Sequence, residues 1–145
     1  MMMETREILE ASPSGAPFGV AQLAAAIEAC LNCIQACTSC ADADLAEDDI
    51  DEMRTCIALC LNCADVCQVT ARVLSRPAHW EQFVADRLLQ ACVRTCTSSA
   101  EECARHADHH RHCAICERVC RVCAQACSAL LDVEASKELK KLAGA

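Results

Sequence analysis

Along most of the chain, apolar positions recur at alternating steps of three and four residues, the seam of an amphipathic α-helix. What is unusual is the residue that fills the seam. In "CAICERVCRVCAQAC", residues 113–127, it is occupied by Cys113, Cys116, Cys120, Cys123 and Cys127. At roughly 100° per residue these five fall within an arc of about 80°, so they share one helix face. "CLNCIQACTSC" repeats the beat with Cys30, Cys33, Cys37 and Cys40, and "CIALCLNCADVC" with Cys56, Cys60, Cys63 and Cys67. "CVRTCTSSAEEC" carries Cys92, Cys96 and Cys103, with Ser99 where the rhythm demands a cysteine.

Four such segments predict four helices, at about Phe18–Ala43, 48–74, Trp80–Ala107 and Arg111–Leu131. The acidic "DADLAEDDID" makes the first turn, where Asp48 or Asp49 is expected to cap the second helix by accepting its free N–H groups. Pro77 in "SRPAHW" ends that helix, because the residue before a proline is disfavoured in helical geometry. The histidine-rich "HADHHRH" leads into the fourth. Residues 1–17 read as a loose or partly helical arm closed by "SPSGAP". Residues 132–145 read as a short amphipathic helix or frayed tail, with Leu139 and Leu142 as candidate contacts. Four helices of similar length with short turns specify an all-α fold. Residues 18–131 should form an antiparallel up-down-up-down four-helix bundle with a cysteine-lined core.

Antiparallel pairing sorts the cysteines into layers. Cys40, Cys56, Cys103 and Cys113 form the outermost; Cys37, Cys60, Ser99 and Cys116 the next. Cys33, Cys63, Cys96 and Cys120 follow, then Cys30, Cys67, Cys92 and Cys123, with Cys127 one step deeper. Beyond it the faces turn to Leu23, Ile27, Leu74, Val84, Leu88, Leu130 and Leu131, an ordinary hydrophobic plug. The opposite end carries Met53, His106, His109 and His110, with Asp42 and Asp44 nearby; His112 reads as a solvated turn residue.

Composition narrows the function. There are 16 cysteines in 145 residues, and the aromatics reduce to Phe18, Trp80 and Phe83. Three glycines and three prolines leave long helices uninterrupted. A formal charge of −8 argues against a nucleic-acid or anionic-membrane surface. No segment reads as a membrane span of roughly 18 apolar residues, and the start lacks the basic and apolar regions of an export signal. A cytoplasmic location follows, where thiols stay reduced and a disulfide framework is not expected.

A lone buried cysteine acts as a small hydrophobe. A whole core of them is smaller and more oxidisable than leucine, so packing alone does not select it. Thiolate is a soft ligand for Cu(I), Zn(II) and iron–sulfur clusters. Charge separates these, since uncompensated buried charge costs several kcal/mol per ion. Cu(I) in two-coordinate sites with bridging sulfurs gives roughly one Cu⁺ per S⁻ and a neutral core. About four Zn²⁺ in Cys₄ sites would leave roughly eight negative charges. Ferredoxin-type clusters use C-x₂-C-x₂-C-x₃-C-P in a wrapping loop; no C-x₂-C-x₂-C occurs here and no cysteine precedes a proline. An iron–sulfur electron-transfer protein and a zinc reservoir remain the alternatives. No catalytic constellation is seen, and no enzyme is expected.

The layered Cys-x-x-x-Cys and Cys-x-x-Cys helices, with no export signal, resemble the cytosolic branch of the bacterial copper storage proteins over about residues 18–131. The resemblance implies a four-helix bundle loaded with many Cu(I) ions, commonly a homotetramer. It implies that the cysteines from Cys30 to Cys127 are the copper ligands. It also implies that Met53, His106 and His110 are extra ligands or an entrance at the open end. Copper ions are then the ligand, with copper chaperones or efflux systems as exchange partners. Ser99 departs from the pattern and thins the second layer.

Overall fold

Every glycine and proline lies outside the long cysteine-bearing segments: positions 13, 15, 17 and 19, then 77, then 144. Nothing in those segments breaks a helix, and the computed structural model places helices there. It describes residues 4–13 and 19–144, with the backbone alone for 133–141. Helix α1 spans Thr5–Ala11, α2 Val20–Leu45, α3 Arg54–Leu74, α4 Gln82–His106 and α5 Arg111–Gly144. Short 3₁₀ turns at Ile50–Met53 and Pro77–His79 lead into α3 and α4. No strand occurs among the described residues.

Each long helix packs against its chain neighbours, and α2 closes the square against α5. This is the antiparallel four-helix bundle that the seam specifies. Its axis is filled by thiols. All sixteen cysteines are buried and free.

The boundaries differ from expectation in three places. First, α3 starts at Arg54 after the 3₁₀ turn, and no side chain caps it. The Asp49 carboxylate instead accepts a hydrogen bond from His110 Nε2 at 3.1 Å, tying the α2–α3 turn to the α4–α5 turn. That bond holds Asp49 below its ordinary range and raises His110 above its own. Second, α4 begins two residues after Trp80, capped by Glu81, whose Oε2 accepts the Val84 N–H at 2.7 Å. Third, α5 runs on through residues 132–144 without a break, because "VEASKELKKLA" consists largely of good helix formers. The expected helix start at Phe18 and the expected contact at Leu139 lie outside the described residues; Leu142 is 80% exposed. The arm holds α1, which packs on α2 and buries Leu9.

Val20–Leu45 and Ile50–Leu74 each contain a stretch of mean hydropathy 1.4, long and apolar enough to cross a membrane. The expectation that no segment reaches that threshold fails, because cysteine and alanine score as apolar. In the fold, the cysteines that carry much of the score face the bundle axis.

The closed end is a plug of Leu23, Ile27, Leu74 and Leu130, as the faces predict, but α4 contributes Ala85 and Leu89. Val84 is exposed and Leu88 only partly buried. Stepping back from Cys92 by four reaches Leu88, whereas keeping the alternation of three and four reaches Leu89 and then Ala85. Leu89 is fully buried, so Leu89→Ala should destabilise the metal-free protein by about 2–5 kcal/mol through the cavity it leaves. Val84→Ala should change stability by no more than about 0.5 kcal/mol. Urea unfolding of the reduced protein, followed by circular dichroism, checks the contrast.

Candidate metal centre

Two consecutive seam residues on one helix place their sulfurs one above the other; Cys33 and Cys37 lie 3.8 Å apart, and Cys63 and Cys67 4.0 Å. Contacts between helices are as close. Cys37 and Cys120 approach to 3.5 Å, Cys63 and Cys96 to 3.6 Å, and Cys33 and Cys63 to 3.7 Å. A continuous file of sulfur contacts runs from Cys56 through Cys60, Cys116, Cys120, Cys33, Cys63, Cys67 and Cys92 to Cys127, each step 4.0 Å or less.

The flat layers are only partly realised. Cys30, Cys67, Cys92 and Cys123 stand together as expected. The layer of Cys33, Cys63, Cys96 and Cys120 keeps three members in each of two groups, one joined by Cys67 and the other by Cys37, whereas Cys40 gathers with Cys60, Cys103 and Cys116 across two expected layers. In each group the ligand atoms lie within 4.8 Å of one another. The cause is the lean of side chains toward the N-terminus of their own helix. Those on α2 and α4 lean toward the plug, those on α3 and α5 toward the open end, so Cys40 and Cys103 move inward to meet Cys60 and Cys116. The same lean leaves Cys113 facing the open end, where it groups with Cys40, Asp44 and His112.

Ser99 is fully buried where a cysteine is due. Its hydroxyl lies 3.6 Å from the Cys120 sulfur, 3.7 Å from Cys60 and 3.9 Å from Cys37.

A polar collar surrounds the open end. Met53, one turn before Cys56, is fully buried. His106 Nε2 hydrogen-bonds Glu102 at 3.0 Å. Both ring nitrogens of His110 face carboxylates, Asp49 at 3.1 Å and Glu47 at 3.4 Å. The histidine pressed against thiols is His112. Its Nδ1 sits 3.3 Å from the Cys40 sulfur and 3.6 Å from Cys113, while Nε2 meets Glu47 at 3.1 Å. A proton held on Nε2 by Glu47 leaves the Nδ1 lone pair turned to the sulfurs. Reading His112 as a solvated turn residue is therefore corrected: the side chain is 25% exposed and stacks on His110. Its signal was its place four residues before Cys116, on the flank of the seam. Asp44 is fully buried below it, and burial pushes its carboxyl up to about 6. Oδ1 lies 3.7 Å from the Cys113 sulfur, and Oδ2 has no hydrogen-bond partner among the described residues.

A sequence model of the copper storage proteins matches residues 20–132. The chain belongs to the copper storage protein family. The solved structure of the copper storage protein Ccsp of Streptomyces lividans, loaded with 10 copper equivalents, is 43% identical, with a TM-score of 0.86 over 88% of this chain and 98% of that one. A cytosolic copper storage protein from the same organism, with five coppers, is 48% identical with a TM-score of 0.76 over 77% and 92%. The cysteine-rich protein YhjQ of Bacillus subtilis is 29% identical over 106 residues, 73% of this chain and 93% of that one. As a copper storage protein, this chain stores multiple Cu(I) ions with the thiolates that line its interior.

In a copper storage protein the protonation of the empty core matters. Hydrogen bonds with Cys103, Cys113, Cys40 and Cys60, with burial behind them, push the Cys56 thiol well above its usual range. Cys123 leads the same effect at Cys67 and Cys127, and Cys103 at Cys116. These groups are S–H at neutral pH, and a metal ion must displace their protons. Neighbouring thiols lower others, Cys120 to about 5 and Cys103 to about 6, so loading at pH 7 should release one proton for each ion that displaces the proton of a raised thiol. Because the protonated form competes with metal, lowering the pH should weaken binding, by roughly tenfold per pH unit where one proton leaves per ion. Titration with Cu(I) in weakly buffered solution, with a pH indicator and a competing chelator, measures both.

Proposed function

We propose that the sixteen cysteines are the copper ligands, that the store fills to about one ion per sulfur, and that the protein works in the cytosol as a homo-oligomer without catalysis. The observation that carries this reading is the burial of all sixteen thiols in the bundle, with a continuous file of sulfur contacts from Cys56 to Cys127. A chain that moved copper between partners needs one exposed site, whereas here every thiol is enclosed. Monovalent ions bridged by thiolates leave such an interior neutral; divalent ions in Cys₄ sites do not. The cytosolic Streptomyces protein with five coppers, 48% identical, supports the location. Copper chaperones and efflux systems are the proposed exchange partners. The bundle 18–131 is the proposed storage unit, with α1 and the end of α5 as its appendages.

Copper is proposed to enter at the polar collar. His112, with Nδ1 on Cys40 and Cys113, takes the ion first and passes it inward. Asp44, fully buried and 3.7 Å from the Cys113 sulfur, is the carboxylate beside this entry point. Met53, His106 and His110 line the approach.

Capacity tests the reading directly. Anaerobic titration should saturate near one Cu(I) per thiol, roughly sixteen per chain. Ser99→Cys should raise that by about one ion, since it adds a thiolate in reach of Cys37, Cys60 and Cys120. A plateau near four metals, or acid-labile sulfide in the purified protein, would sink it.

The collar is tested by rate. Replacing Met53, His106 and His110 together by non-ligating residues should slow uptake and release while lowering capacity by only a few ions. His112→Ala should slow both on its own. Stopped-flow exchange with a Cu(I) chelator measures this; unchanged rates in the combined variant place the entrance elsewhere.

A further inference from the structure

Near its open end the wall of the bundle is thin on one side. The α2 residues that flank the cysteine stripe there are Ala36, Ser39 and Ala43, all short, and across from them α5 presents Ile115. Short side chains leave the groove between two helices unfilled, and here it deepens into a depression of about 320 Å³. Cys40, Cys116 and His112 stand in its wall. The depressions of about 460 Å³ between α2 and α3 and about 160 Å³ between α4 and α5 have no cysteine in theirs. Cys40 and Cys116 are 2% and 1% exposed, so a metal donor on this side reaches them only by entering the depression. Their sulfurs lie within 4.8 Å of each other, and His112 Nδ1 is 3.3 Å from that of Cys40. At the rim, Gln35 Nε2 donates to the Ser39 hydroxyl at 2.9 Å. That leaves the Gln35 carbonyl as an acceptor and the Ser39 O–H as a donor, on two exposed side chains. No Asp, Glu, Lys or Arg lines the depression.

We propose that this depression seats a small thiol that carries Cu(I), with amide or carboxylate groups beside its sulfur, and that the ion passes from it to Cys40 and Cys116. The proposal rests on the storage reading and on entry at this end of the bundle. About 320 Å³ lies at the lower end of small-molecule sites. A protein donor needs a contact on the order of 800 Å² per partner and would hold its own thiolates at the rim. Thiolate is soft enough to carry Cu(I), and a reducing compartment keeps small thiols available for it. The exchange balances without a redox step. The carrier arrives as two-coordinate RS–Cu–SR⁻. The Cys40 sulfur bonds the ion as one RS⁻ departs, takes the Cys40 proton and leaves as RSH; Cys116 displaces the other in the same way. Two Cu–S bonds form, two break, two RSH are released and copper stays +1. His112 Nδ1, beside Cys40, holds the ion while one sulfur replaces another.

Stopped-flow uptake of Cu(I) by the full chain, reduced and metal-free, is the experiment. Two donors are compared: the Cu(I)–glutathione complex, and a Cu(I) bis-bicinchoninate complex whose paired aromatic ligands are too large for the depression. Wild-type uptake from the glutathione complex should saturate as that complex is raised. Ser39→Trp, at an exposed rim position, fills the depression. It should slow uptake from Cu(I)–glutathione by about tenfold or more, and leave uptake from the bicinchoninate complex and the final capacity unchanged. Ile115→Trp, from the opposite wall, should do the same, and it replaces Ser39→Trp if that variant loses helicity. Equal slowing with both donors makes the depression part of a common mouth and overturns the seat. No slowing in either variant, while the combined Met53, His106 and His110 replacement slows both donors, overturns the seat and leaves the collar standing. A wild type that loads from bicinchoninate but not from glutathione overturns the small-thiol carrier alone. Failure to load from either donor overturns storage itself.

Discussion

Sulfur packed against sulfur is the contact on which this molecule depends. A four-helix bundle normally gains its stability from interlocking branched side chains, and here most of the axis is lined by thiols at separations of 3.5–4.0 Å. Cysteine is short, and the larger fully buried leucines, Leu23, Leu74, Leu89 and Leu130, are gathered at one end. Everything else follows from that arrangement. The axis stays uncharged only while each thiol keeps its proton or trades it for a monovalent cation. Ligand held only by the folded state adds to its stability, so the loaded bundle is the firmer one.

Much of this could be read directly from residue spacing. The alternation of three and four gives the helices, their inward faces and, with short turns, the antiparallel order. The lean that regroups Cys40 with Cys60, Cys103 and Cys116 could not be read in the same way. It is a property of helices running in opposite directions, and it appears only when their directions are combined with the tilt of each Cα–Cβ bond. The α4 part of the plug was legible in principle: the same alternation continued past Cys92 reaches Leu89 and Ala85.

The open end was the harder half. Turn residues carry no periodicity, so in "HADHHRH" the one signal that separates a histidine touching thiols from one touching carboxylates is the place of His112 four residues before Cys116. His110 and His112 differ by two positions. The first is held by Asp49 and Glu47 and the second reaches Cys40, partners 61 to 72 residues away in the chain, besides its own neighbour Cys113. The same long-range pairing explains Asp49, which looks like a helix cap locally and serves as a brace between two turns.

The leucine plug has a consequence for the order of traffic. A tube stopped at one end and open at the other has no through-flow, and ions already seated cannot be overtaken by those behind them. With entry at the proposed collar, copper that arrives first would lie deepest, beside Cys127, and leave last. Such a store behaves as a stack: a brief demand draws only on recent deposits near the collar, and the oldest ions by the plug form a reserve reached only when the rest is spent.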